Sequence, residues 1–116
     1  MTQRDIAKLL DATFLDASKD IDREVKNFCG TDLMSEALAA SKAFTTLLTG
    51  LCNPQVIRTA EMLDIQTVIF VRGKRPTDEM VSMARDRNIA VMCTADTMYD
   101  ACGKIYFELH KGGADG

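Results

Sequence analysis

The 116-residue chain predicts an α/β protein: one small domain with a mainly parallel sheet flanked by helices. Three observations point there. Apolar strand-like runs and helical stripes alternate three times in the second half, with residues 45–49 leading into 53–64, 67–71 into 77–88, and 90–93 into 96–109. The run Val68-Ile69-Phe70-Val71 is apolar without a break and rich in β-branched residues, as in a central parallel strand covered on both faces. Each strand-to-helix junction also carries turn chemistry, a glycine or basic residue at the first two and a threonine at the third. That order sets all three junctions on one edge of the sheet, where open α/β sheets bind their ligands.

Residues 3–11 predict the first helix. Thr2 is its N-cap, Asp5 completes a capping box, and Ile6, Leu9 and Leu10 form one apolar face. A short strand over 13–15 follows, and Asp16-Ala17-Ser18-Lys19-Asp20 reads as a turn. Over 23–29, Val25, Asn27 and Cys29 alternate with Glu24, Lys26 and Phe28, the pattern of a half-exposed strand. Gly30-Thr31-Asp32 ends that strand and caps a helix over 33–41, with Met34, Ala37 and Leu38 turned toward the core.

In the second half, Asn53-Pro54 places an amide at the N-cap and proline in the first helical turn. Val56, Ile57, Ala60 and Leu63 supply the stripe behind it. Pro76-Thr77 precedes a helix with Met80, Val81 and Ala84 inward, and Ala90-Val91-Met92-Cys93 is another buried strand. The last helix lines up Met98, Ala101, Cys102, Ile105 and Leu109. Gly103 weakens it by about 1 kcal/mol relative to alanine and reads as a close-packing contact. The domain is expected over residues 1–110, with a disordered tail over 111–116.

Composition narrows the function classes. A net charge of −3 lacks the positive field that sequence-independent nucleic-acid binding needs. No apolar run reaches the roughly 18 residues of a membrane span, and the N-terminus shows no signal-peptide core, so a cytoplasmic location is expected. Cys29, Cys52, Cys93 and Cys102 form no CxxC pair and read as reduced, mostly buried thiols. With His110 the single histidine and no ligand spacing, neither a metal site nor a cofactor is expected. Catalytic residues are not apparent: Ser18, Ser35, Ser41 and Ser82 have no histidine partner in a recognisable arrangement. Asp20, Asp22 and Glu24 read as a solvated loop, and Asp78 and Glu79 as acids in the first turn of a helix.

The candidate site is the set of turns at the shared edge. Thr49, Gly50 and Asn53 lie in the first; Arg72, Gly73, Lys74 and Arg75 in the second; Thr94 and Thr97 in the third. Helix N-termini suit anions, and three cationic side chains with two glycines suit a phosphate or carboxylate. The same residues also fit plain turn chemistry, with solvated cations, Gly73 at a positive φ, and Asn53, Thr77 and Asp96 as caps. Neither GxGxxG nor GxxxxGK[ST] is present, so no standard nucleotide fingerprint decides between them.

Several segments together carry a family resemblance. Leu48-Thr49-Gly50, Asn53-Pro54-Gln55-Val56-Ile57-Arg58, Val68 through Pro76, Ala90-Val91-Met92-Cys93-Thr94 and Ala101-Cys102-Gly103-Lys104-Ile105-Tyr106 resemble the DRTGG domain. Ile6-Ala7-Lys8-Leu9-Leu10, Ile21-Asp22-Arg23-Glu24-Val25 and Gly30 through Ser35 extend the likeness to nearly the whole chain. The resemblance implies a fold like the N-terminal domain of HPr kinase/phosphorylase, in a stand-alone form, and a regulatory, ligand-sensing or dimerising module. Kinase activity is not implied, since the chain has no Walker motif. The name-giving residues differ: Leu51-Cys52-Asn53 stands where the aspartate-arginine pair is expected, and Val71-Arg72-Gly73 keeps one glycine of the threonine-glycine-glycine. The expectation is therefore a non-enzymatic module, a homodimer that binds a small anionic ligand such as a nucleotide at the turn edge. The alternatives are a pure interaction module that docks onto a larger enzyme, and an enzyme acting on a phosphorylated metabolite.

Overall fold

Successive strand residues point to opposite faces, and Val68, Ile69, Phe70 and Val71 are all fully buried, so this strand is covered on both sides. The computed structural model describes residues 1–15, 22–40 and 44–114. Its strands are β1 (Thr13–Phe14), β2 (Phe28–Gly30), β3 (Thr46–Thr49), β4 (Thr67–Phe70) and β5 (Ala90–Cys93). They form one sheet in the order β1-β5-β4-β3-β2. Strands β2 to β5 run parallel, and β1 closes the far edge antiparallel to β5. The helices are α1 (Gln3–Leu10), α2 (Met34–Ala39), α3 (Pro54–Met62), α4 (Asp78–Asp86) and α5 (Met98–Ala114).

The register explains the two cores. Leu47, Val68 and Val91 are aligned across the sheet and pack with Met34, Ala37, Val56, Ile57, Met80 and Ala84 from α2, α3 and α4. One residue further on, Leu48, Ile69 and Met92 are aligned and pack with Ile6, Leu10, Ala101 and Ile105 from α1 and α5. All three crossovers between parallel strands thus use one face, and the first and last helices cover the other.

Helix starts follow the sequence closely. Thr2 and Asp5 form the reciprocal capping box, and the side chains of Asn53 and Thr77 accept N–H groups of Gln55 and Met80. After α1, α3 and α4 the chain turns through left-handed Asp11, Asp64 and Asn88, at φ 49°, 59° and 58°. Aspartate and asparagine tolerate that region better than most residues. Each turn is closed from the next residue, Ala12, Ile65 or Ile89, whose N–H reaches Ala7, Ala60 or Ala84 at 2.8 Å.

Several expectations are corrected. Residues 22–27 do not form a strand: a single antiparallel bridge joins Glu24 to Thr2, and Val25 donates to the Met1 carbonyl, so the chain N-terminus holds this segment until Asn27, whose carbonyl accepts from Thr45 and Thr46 at the start of β3. Helix α2 stops at Ala39, and Leu38 is 44% exposed. Leu109, expected on the inner face of α5, is 43% exposed. Helix α5 begins at Met98 instead of residue 96 and continues to Ala114, into the segment expected as a tail. A Cβ added at Gly103 would meet nothing within 4 Å, so this glycine makes no close contact inside the chain. The turn expected over 16–20, with Ser18 and Asp20, lies outside the described residues, as do Ser41, Asp115 and Gly116.

Candidate functional site

The carboxyl ends of four parallel strands share one rim, and the rim is built largely by threonines. Just beyond β2, at the end of β3 and just beyond β5, the hydroxyls of Thr31, Thr49 and Thr94 each accept the N–H two residues on, from Leu33, Leu51 and Asp96, at 3.1, 3.1 and 3.2 Å. This side-chain turn redirects the backbone at once. Thr49 is fully buried, and the Thr94 hydroxyl donates to the Leu10 carbonyl at 2.7 Å. Both candidate threonines therefore build the rim, and their hydroxyl lone pairs or protons are engaged there. Thr97 likewise accepts the Asp100 N–H at 3.1 Å at the start of α5. It takes the capping role that Asp96 was weighed for.

After β4 the turn is made differently. Arg72 and Gly73 both lie in the left-handed region, at φ 59° and 71°. The loop after β4 heads for α4 and the loop after β5 for α5, on opposite faces of the sheet, which is where a crevice opens in α/β folds. Here two backbone bonds close it, from Arg72 N–H to the Asp96 carbonyl at 2.7 Å and from Gly73 N–H to the Thr94 carbonyl at 2.9 Å. Lys74 N–H turns back to the Val71 carbonyl at 3.2 Å. The amides of Arg72, Gly73 and Lys74 are thus spent inside the chain.

Its three cations do not converge. The Arg72 guanidinium lies across Gly50, in the space that a Cβ there would take, and donates to the Gly50 carbonyl at 3.5 Å. There Arg72 meets a residue that the sequence did not single out as a site residue: Asp32. One Asp32 oxygen accepts the Gly50 N–H at 2.7 Å, and the other stands 3.7 Å from Arg72 Nη1. Both side chains of the pair are about half exposed, at 49% and 48%. Lys74 lies close enough to the Cys52 thiol to oppose the upward push that burial gives it. Arg75 lines a separate groove with Leu15, Pro76, Asp78, Val81 and Arg85. Among the described residues, neither Lys74 nor Arg75 forms an ion pair. Asn53 spends its side-chain oxygen on the Gln55 N–H at 2.9 Å.

Asp32 was expected only as part of a helix cap. That cap is not formed: α2 starts from Leu33 with no side-chain cap, and Thr31 turns the chain ahead of it, accepting from Leu33 N–H and donating to Glu36 at 3.0 Å. Placing Asp32 at the site requires β2 to run parallel beside β3, and the local alternation of 23–29 gave no orientation. The signal available was an acid two residues beyond a strand in a chain whose other strand exits line one rim.

Other chemistry is sparse among the described residues. No group of three or more histidine, cysteine, aspartate or glutamate side chains is placed to hold a metal ion. The four cysteines are free and partly buried, and burial pushes the thiols of Cys29, Cys52 and Cys102 up, leaving them protonated at neutral pH. His110 stacks on Tyr106 with ring centres 4.0 Å apart on exposed α5. Among the described residues, no helix is long and apolar enough to cross a membrane.

No known family's sequence model matches the chain, and no curated protein matches it. Among solved structures it is similar to the CBS and DRTGG domains of the regulatory region of a Clostridium perfringens pyrophosphatase, complexed with its activator diadenosine tetraphosphate. The TM-score is 0.72 at 18% identity, over 90% of this chain and 45% of that one. At that identity the likeness is one of fold: a small α/β domain of the kind found in that regulatory region. The chain spans under half the length of its structural neighbour.

Proposed function

We propose that this chain is a non-catalytic regulatory module of the DRTGG type, which senses a small anionic ligand where β3 and β4 leave the sheet and acts as a cytoplasmic homodimer. The observation that carries the proposal is the grip on Asp32. A backbone N–H already holds one oxygen of this carboxylate at 2.7 Å, and the Arg72 guanidinium, which donates to the Gly50 carbonyl at 3.5 Å, stands 3.7 Å from the other. Phosphate oxygens take the same donors. Lys74, further along the same loop, lies by the Cys52 thiol. In the unliganded protein Asp32 serves as an internal stand-in for the anion, and a ligand displaces it.

The structural neighbour supports the ligand class, since its regulatory region is complexed with a dinucleotide polyphosphate. That region is more than twice the span of this chain, so the nucleotide suggests which chemistry to try, and the rim suggests where. The neighbour's fold also sits within the regulatory part of a larger enzyme. That setting favours docking onto an enzyme as the second reading.

Thermal unfolding of the chain with ATP, diadenosine tetraphosphate, acetyl phosphate and sugar phosphates tests the proposal. A ligand at a hundredfold excess over its Kd adds about 2.7 kcal/mol to the folded state. The expected result is a rise in Tm with at least one of these compounds, abolished when Arg72, Lys74 and Arg75 are all replaced by alanine. Arg75→Ala alone is expected to do little, because that side chain lines a different groove. No shift with any compound, or a shift that survives the triple replacement, contradicts the proposal. Turnover of a compound points to the enzyme alternative instead.

A further inference from the structure

Helix α5 carries an aromatic stripe that the fold does not use. Tyr99, Tyr106 and Phe107 are 86%, 66% and 67% exposed, while Ala101 and Ile105 on the other side are buried. At 3.6 residues per turn, Tyr99, Gly103, Tyr106, Phe107 and His110 share the outward side. Gly103 stands at the middle of the stripe, with Tyr99 four residues before it and Phe107 four after. Nothing inside the chain requires a glycine there, since an added Cβ would meet no atom within 4 Å. Glycine is unfavourable in a helix interior. What its bare backbone does provide is close approach for another surface.

We propose that this face is the contact between two copies of the chain, with α5 crossing its symmetry mate antiparallel at Gly103. The proposal names the surface for the homodimer above and rests on that part of the proposed function alone. The spacing selects a second copy as the occupant. In an antiparallel crossing at Gly103, Tyr99 of each helix meets Phe107 of the other, the self-complementarity that a two-fold contact requires. At about 150–250 Å² per aromatic side chain, the three exposed rings offer on the order of 400 Å² per copy. The apolar face continues past Tyr106 into a groove lined by Phe28, Cys102 and Leu109. Two such faces come to on the order of 800–900 Å² in total, the scale of a weak, reversible contact.

Light scattering on the whole chain, with circular dichroism as a check on folding, tests this. The wild type is expected at twice its 12.8 kDa mass. Gly103→Gln enters open space in the single chain and favours the helix, so the fold is kept, yet it wedges the crossing apart and yields monomer. A second variant, Tyr99→Glu with Phe107→Glu, is expected to do the same through charge. A monomeric wild type overturns the homodimer itself. A dimer that survives both variants overturns the α5 contact and leaves self-association standing through another face.

Discussion

Asp32→Asn separates two effects that the wild-type carboxylate combines. The amide oxygen still accepts the Gly50 N–H, so the turn keeps its shape, while the negative charge that competes with a ligand is gone. The pair is half exposed and Arg72 is 3.7 Å away, so solvent screening reduces the gain to about 1 kcal/mol. Asp32→Asn is therefore expected to bind ATP about fivefold more tightly than wild type in a calorimetric titration, and unchanged or weaker binding argues against the stand-in role. Elsewhere, the hydroxyl of fully buried Thr59 reaches no hydrogen-bond partner. Thr59→Val removes it at nearly constant shape, and a gain of about 1 kcal/mol in chemical denaturation is expected.

At the scale of elements, local chemistry governs where helices begin. Asn53→Ala removes the side-chain acceptor of the Gln55 N–H and is expected to cost about 1 kcal/mol of stability, measured by denaturant unfolding. At the start of α1 the Thr2 backbone N–H holds the Asp5 carboxyl below its ordinary range. A depressed folded-state pKa means that this contribution is present above the unfolded carboxylate value and is lost as the pH falls through the folded one. Asp5→Asn is therefore expected to flatten the acid limb of the stability curve below about pH 4. These starts were legible in the sequence because a cap is a contact between near neighbours, as were the parallel strands β3 to β5, whose apolar runs admit no solvent-facing side. The orientation of β2 was not legible. It depends on pairing with β3 across 18 residues, and so Asp32 was missed. Gly103 was read as a close-packing contact, and the chain makes none there, because a helical pattern does not show what surrounds a glycine.

At the scale of the whole molecule, four strand ends meet at one rim while α5 turns an aromatic face away from it. On the two proposals above, ligand binding and self-association use different parts of the chain. The crevice between β4 and β5 is closed by its own backbone, which is why the proposed binding region is at Gly50 and Arg72. The most direct measurement is an amide NMR titration of the chain with ATP. Saturable shifts at Gly50, as its N–H leaves Asp32 for phosphate, together with shifts at Arg72 and Lys74, are the predicted result. Shifts confined to another surface, such as the cleft between α1 and α5 lined by Asp5, Lys8 and Glu108, or no saturable shift at all, would contradict it.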